Sequence, residues 1–266
     1  MKNNLQYFIL TRFNLKKTDW QKDKNSQVVL DEKWLKDRIE LFTKFCLPSV
    51  LGQTDKNFKW IIFFQDDPGL EIKALLKILE EYEFIEPIFV NGFQEFQTRL
   101  SFYISERLGE DTQWVLTSRL DNDDALSKNY VGELKKASKN LKHQTMVYFP
   151  NGLFLDLGQN NRLAASHYPF NQFLNLLEEV QMGAIQTVLS RAHDSWGDFI
   201  VKELAHDDSW LQITHSSNMA NIFRGVPVFS FRLKEFTIEK VHFSLMYDLK
   251  LLLLGGRRRL KKLIKY

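Results

Sequence analysis

Asp121-Asn122-Asp123-Asp124 sets three carboxylates within four residues, directly after the apolar run Trp114-Val115-Leu116-Thr117 and the link Ser118-Arg119-Leu120. Carboxylates this close repel one another, and at an apolar strand end they need a cation or hydrogen-bond donors to stay ionised. A divalent metal supplies that compensation. Hard oxygen ligands suit magnesium or manganese, which are commonly held by one or two carboxylates together with substrate phosphates. An EF-hand is excluded, because its loop needs Asp or Asn where Ala125 stands and Gly where Leu126 stands. The alternative is an acidic turn capping a helix that begins near Leu126, since Asp is ordinary at helix starts. Cys46 is the single cysteine, which excludes an internal disulfide, a Cys-rich zinc site and a CxxC pair. It lies in the apolar stretch Phe45-Cys46-Leu47-Pro48 and reads as a buried thiol without a chemical role. Neither GxGxxG nor a P-loop sequence occurs, which argues against nucleotide-fold dehydrogenases and kinases.

The acidic quartet has to be positioned by an α/β framework, because strand and helix signals alternate along the first half of the chain. Tyr7 to Thr11 reads as a first strand ending in the polar Arg12-Phe13-Asn14. Trp34, Leu35, Arg38, Ile39, Leu41, Phe42 and Phe45 recur at helical spacing, with Asp31 as N-cap and Pro48 beyond the end. Trp60 to Phe64 predicts a strand running into Asp66-Asp67, Ile72 to Tyr82 a helix, Ile88 to Val90 a strand and Thr98 to Leu108 a helix. Three successive strand ends therefore offer Arg12 and Asn14, Asp66 and Asp67, and the Asp121 quartet. Ligands of open α/β sheets gather at such carboxyl ends. Farther on, Met146 to Phe149 and Trp210 to Ile213 predict strands, and Phe170 to Glu179 and Trp196 to Leu204 helices.

The 266 residues carry a formal net charge of +3, and seven of the cations lie between Leu249 and Tyr266 with no acid among them. Removing those seven leaves the body at −4, which argues against nucleic acid as a partner. The tail interleaves Lys250, Arg257, Arg258, Arg259, Lys261, Lys262 and Lys265 with leucines and suits an anionic membrane surface. The same composition also fits a helix docked on the domain with a solvated basic edge. No run approaches the roughly 20 apolar residues of a membrane span, and the N-terminus lacks the apolar region of a secretory signal. The expectation is a cytoplasmic protein, peripheral at the inner membrane face, with one domain over residues 1–240 and a basic amphipathic segment over 241–266.

Phe45 to Thr54, Phe58 to Phe64 and Asp66-Asp67 resemble the start of the family 2 glycosyltransferases, and Arg99 and Leu120 to Asp124 follow in that family's order. Thr11 to Asn14, Arg119 to Leu126 and Trp210-Leu211-Gln212-x-x-His215-x-x-Asn218 together resemble the bacterial putative rhamnosyltransferase family, over roughly Tyr7 to Phe229. The resemblance implies a GT-A-type fold, a mixed sheet flanked by helices, and transfer of a sugar from a nucleotide-sugar donor to a glycan or lipid-linked acceptor. It makes Asp121 and Asp123 the DxD motif that binds Mn2+ or Mg2+ and the diphosphate, with His215 completing the metal shell. Asp66 then contacts base or ribose, and Arg12 and Arg99 contact base or phosphate. For the general base of an inverting transfer it points to the Asp207-Asp208 pair, with Asp208 as the base and Asp194 as runner-up. Two rivals are a metal-dependent nucleotidyltransferase and a non-catalytic membrane-associated scaffold that keeps the fold.

Overall fold

Burial with a period of two builds the centre of the molecule. In the computed structural model, which describes residues 4–17, 31–158, 160–180, 185–192, 195–215, 222–244 and 246–253, strand β1 (Leu5–Arg12) puts Tyr7 and Ile9 into one buried cluster and Phe8 and Leu10 into another. Strand β2 (Lys59–Gln65) repeats this, with Trp60, Ile62 and Phe64 on one face and Ile61 and Phe63 on the other. A strand buried on both faces needs helices on both sides. Helices α1 (Glu32–Leu41), α2 (Leu47–Leu51), α3 (Leu70–Leu79) and α5 (Tyr130–Ser138) send apolar side chains into the first cluster, and α4 (Gly92–Ser105) sends Phe96, Leu100 and Ile104 into the second.

The remaining strands are β3 (Ile85–Val90), β4 (Trp114–Arg119), β5 (Ala125–Leu126), β6 (Thr145–Tyr148), β7 (Asn151–Asp156), β8 (Arg162–His167), β9 (Asn175–Glu179), β10 (Ile200–Glu203), β11 (Trp210–Thr214) and β12 (Val226–Pro227). Of the twelve described strands, seven form one sheet in the order β10-β6-β9-β4-β1-β2-β3, and five form a second in the order β12-β8-β7-β11-β5. The run β4-β1-β2-β3 is parallel, so β1, β2 and β4 end at one edge, whereas β9 is antiparallel to both β4 and β6. The mixed α/β sheet flanked by helices is the expected architecture. Among the described residues no helix is long and apolar enough to cross a membrane.

Four local expectations are corrected. Phe170 to Glu179 is no helix: Phe173 through Glu178 are all buried, which suits a central strand covered on both faces and leaves no polar helix face. Trp196 to Leu204 contributes the exposed edge strand β10, paired with β6. No helix starts at Leu126, because Ala125 and Leu126 pair with Leu211 and Trp210, and α5 begins at Tyr130. Asp31 does cap α1, accepting from Trp34 N at 2.7 Å, but Pro48 does not end the helical run. A π-helical turn at Phe42–Cys46 precedes it and the chain stays helical to Leu51. Proline cannot donate to the carbonyl four residues back, here Lys44 O, which accepts instead from Glu239 N at 2.8 Å.

Trp210 ties the second sheet to the first core. It is fully buried, stacks on Phe173 with ring centroids 5.1 Å apart, and donates from Nε1 to Phe149 O at 2.8 Å. Gly152 on the neighbouring strand leaves room for it, since a Cβ there would lie 2.1 Å from the indole. Gly152→Ala is expected to destabilise the fold by about 1–3 kcal/mol through overpacking, read as a lower urea midpoint. An unchanged midpoint would show that this contact is not tight.

Candidate active site

The site lies where β1, β2 and β4 end together, and each acid of the quartet there has a different partner. Backbone bonds from Leu120 N to Leu10 O (3.1 Å) and from Asp124 N to Asp121 O (3.2 Å) fix the turn after β4. Asp121 receives Arg119 through two bonds, Nε to Oδ1 at 3.1 Å and Nη2 to Oδ2 at 2.8 Å. Burial alone would raise the Asp121 pKa, but the Arg119 ion pair outweighs it, with Arg12 adding, and holds the carboxyl below its usual range. Arg12 feels burial first and Arg119 second, which together lower it to about 10. Two guanidiniums therefore flank Asp121 at adjacent strand ends.

Asp123 is buried, and its charge is sustained by Arg38 Nη1 at 2.5 Å and His215 Nε2 at 3.0 Å, both on Oδ2. Burial opposes ionisation here too, yet Arg38 foremost, then His215, depress the carboxyl strongly. Asn122, between the two acids, donates to Phe13 O at 2.7 Å and accepts from Arg38 Nη1 at 3.2 Å, joining β1, the acidic turn and α1. Asp124 serves a different purpose. Its Oδ1 accepts from Ile213 N at 2.9 Å and its Oδ2 from Gln172 Nε2 at 3.2 Å, which anchors β11 to the turn. Burial, reinforced by Asp123 and Asp121, pushes its pKa well above the carboxylate range. Because β11 is pinned at Ile213, the next residues out deliver His215 to Asp123.

The expected residues divide into those the fold brings together and those it does not. Asp121, Asp123, His215 and Arg12 share one centre. Asp66 sits at the end of β2 on the same edge, where it accepts from Gln65 Nε2 while Asn14 Oδ1 accepts from Gln65 N at 3.0 Å. Arg99 is on an exposed face of α4, paired with Glu95 at 3.4 Å and resting on Phe102 and Tyr103. Its own helix already supplies an acid and two rings. Asp208 is at the far end of β11 from His215. The five residues of β11 between them span on the order of 15 Å, and Arg232 grips both its oxygens. A carboxylate held on both oxygens by a guanidinium is a weaker proton acceptor. Asp194 falls outside the described residues. Cys46 is buried, which raises its thiol pKa well above the usual value, as expected for a thiol without chemistry.

Arg38, Asn122 and Arg119 are site residues that motif reading passed over. Arg38 had a legible signal: a guanidinium within the apolar stripe of a helix must find a buried anion.

The donor set bears on a metal. Asp123 Oδ2 and His215 Nε2 are 3.0 Å apart, about the edge of a coordination shell whose bonds are near 2.1 Å. Among the described residues no three His, Cys, Asp or Glu side chains converge. A hard divalent ion that keeps waters and takes substrate phosphates needs no more than one or two protein ligands, so the pair fits such an ion. Asp124 is not in this set. Asp124→Ala is expected to cost about 1–3 kcal/mol by stranding Ile213 N, measured by urea denaturation; a loss below about 0.5 kcal/mol, the level of ordinary surface substitutions, would contradict the anchoring role.

Several solved structures are similar to this chain. TarS 1-349 of S. aureus, in complex with UDP, matches with a TM-score of 0.45 at 8% identity, over 78% of this chain and 60% of that one. The longer TarS structure is matched over 36% of its length. A protein from Desulfovibrio desulfuricans G20 described as a "putative nucleotide-diphospho-sugar transferase" gives a TM-score of 0.37 at 10% identity, covering 81% and 83%. The inositol-1-phosphate CTP transferase from T. maritima gives 0.36 at 14%, covering 80% and 91%. No curated protein matches the chain. The model of the family described as "Putative rhamnosyl transferase" matches residues 6–225, and the chain belongs to that family.

Proposed function

We propose that this chain transfers a sugar, rhamnose being the family's namesake, from a nucleotide-sugar donor to a glycan or lipid-linked acceptor, with a divalent ion at Asp123. The observation that carries the reading is the convergence of Asp123, His215, Arg12 and Arg119 at the carboxyl ends of β1, β4 and β11. Breaking a sugar-phosphate bond leaves a nucleoside diphosphate with growing negative charge, and the site is rich in groups that favour it. Mn2+ or Mg2+ held by Asp123 and His215 would act as a Lewis acid on the diphosphate. Arg12 and Arg119, held by burial and by Asp121, offer planar donors to its oxygens. Asp66, on the neighbouring strand end, would accept from ribose or base. The acceptor's general base is not assigned to Asp208, whose carboxylate is held by Arg232.

The test is thermal stability of the wild type and of Asp123→Asn with a panel of nucleoside diphosphates, each with and without manganese. One nucleotide should stabilise the wild type by roughly 2.7 kcal/mol at a hundredfold excess over Kd, require manganese, and leave Asp123→Asn unmoved. A shift of equal size in Asp123→Asn would remove Asp123 from the site.

The inner membrane face is proposed as the place of work. Residues 247–253 are helical and leave Leu249, Leu252 and Leu253 exposed, just before the cationic stretch that ends the sequence. Apolar side chains followed by a polybasic segment suit anionic lipid headgroups. The protein should cosediment with phosphatidylglycerol vesicles and not with phosphatidylcholine vesicles, and should be released by salt. Equal binding to both would contradict the electrostatic part.

A further inference from the structure

Arg38 is bound to Asp123 in a way that sets it apart from the pair Arg119–Asp121 beside it and the pair Arg232–Asp208 at the other end of β11. Arg119 meets Asp121 with two nitrogens on two oxygens, and Arg232 does the same with Asp208. A guanidinium fork matches a carboxylate in that fashion. Arg38 instead presents the single nitrogen Nη1, which reaches Asp123 Oδ2 at 2.5 Å and Asn122 Oδ1 at 3.2 Å. The oxygen it touches is the one that His215 Nε2 approaches at 3.0 Å. One nitrogen thus sits as a point cation against a carboxylate oxygen that also faces an imidazole, with an amide oxygen beside it. The two oxygens are hard donors of the kind that hold magnesium or manganese, and the imidazole is a borderline donor that completes the set. The guanidinium also has a second support, the face of Trp34 at 4.9 Å from Cζ, within reach from the same helix.

We infer that Arg38 is a resident cation that competes with the divalent ion for Asp123 Oδ2, so that the donor-free chain binds metal weakly and acquires it together with the nucleotide diphosphate. The inference rests on the proposed metal role of Asp123 and His215. The physical reason is charge. An ion next to the guanidinium meets strong repulsion in a buried site, and Asp123 Oδ2 already has a cation. A diphosphate changes the balance because it brings negative charge for both cations. Arg38 then keeps Trp34 and Asn122 as supports while the ion takes Asp123 and His215. The arrangement makes metal uptake depend on donor, and it keeps a cation against a buried carboxylate between turnovers.

The experiment is titration of manganese alone, by calorimetry, into the full chain as wild type, Arg38→Met, Arg38→Gln, and Arg38→Met combined with Asp123→Asn. Arg38→Gln keeps a donor for Asp123 without the charge, and it carries the test if Arg38→Met fails to fold, as checked by circular dichroism. Expected is manganese binding at least about tenfold tighter in either Arg38 variant than in the wild type, the low end for removing an adjacent buried charge, and abolished when Asp123→Asn is added. Manganese should also raise the melting temperature of Arg38→Met more than that of the wild type. Equal affinity in wild type and Arg38 variants overturns the inference, as does weaker binding in the variants or no binding in any. A parallel titration of the wild type with manganese plus the stabilising nucleoside diphosphate separates the two readings. Binding there, with equal affinities in the metal-alone series, retains the metal role of Asp123 and rejects the competition. No binding there or in the variants rejects both.

Discussion

A buried carboxylate that must stay charged governs the architecture of this end of the molecule. Asp123 is removed from water, and a lone ion in that position would neutralise itself or destabilise the fold by several kcal/mol, on the order of 3–5 when one partner of a buried pair is lost. Its charge is kept by groups drawn from two distant parts of the chain. Arg38 comes from α1, and His215 comes from the far end of β11. Each depends on elements built for it. Asp31 starts α1 with a capping bond, the turn around Asn122 joins α1 to β1, and Asp124 holds β11 through Ile213 N. The acidic quartet is therefore three acids with three separate tasks. Asp121 orders Arg119, Asp123 faces Arg38 and His215, and Asp124 anchors a strand.

The two sheets divide the work in the same way. The parallel half of the seven-stranded sheet brings three strand ends to one edge and supplies the cations Arg12 and Arg119 and the acid Asp66. The second sheet exists at the site through β5 and β11, which carry the chain away from the acidic turn and return His215 to it. Trp210, stacked on Phe173 and seated over Gly152, locks that return path into the main core. Packing there sets the position of a side chain at the other end of the same strand. Packing at Gly152 and the bond from Ile213 N to Asp124 therefore both bear on where β11 delivers His215.

Much of this was legible from residue types and spacing, and the misses have physical causes. The strand ends after β1, β2 and β4 could be read because each is a continuous apolar run that stops abruptly at charged residues. The motif order carried the family, which the match over residues 6–225 shows. Phe170 to Glu179 reads as a helix because Asn171, Gln172, Asn175 and Glu178 break its apolar residues into a helix-like spacing, whereas in the fold Asn175 and Glu178 are buried with hydrogen-bond partners of their own. Pro48 misread as a stop because the widened turn before it, and the donation of Glu239 N to Lys44 O, are tertiary events. Arg38 was visible within the apolar stripe of α1, but its partner lies 85 residues away in sequence and no spacing rule connects them. Arg99 and Asp208 were chosen from motif order, and the fold places one on an exposed helix face and the other beyond the opposite end of β11.

The account stands or falls on what Asp123 and His215 hold when the donor's nucleotide is present. The most direct measurement is a crystal structure of the chain with manganese and the nucleoside diphosphate that stabilises it most, with the ion located by its anomalous scattering. The account predicts a manganese peak bonded to Asp123 and His215, with the diphosphate bridging it toward Arg12 and Arg119. A diphosphate bound away from the β1 and β4 ends, or a manganese peak that leaves Asp123 on Arg38 unchanged, would contradict it.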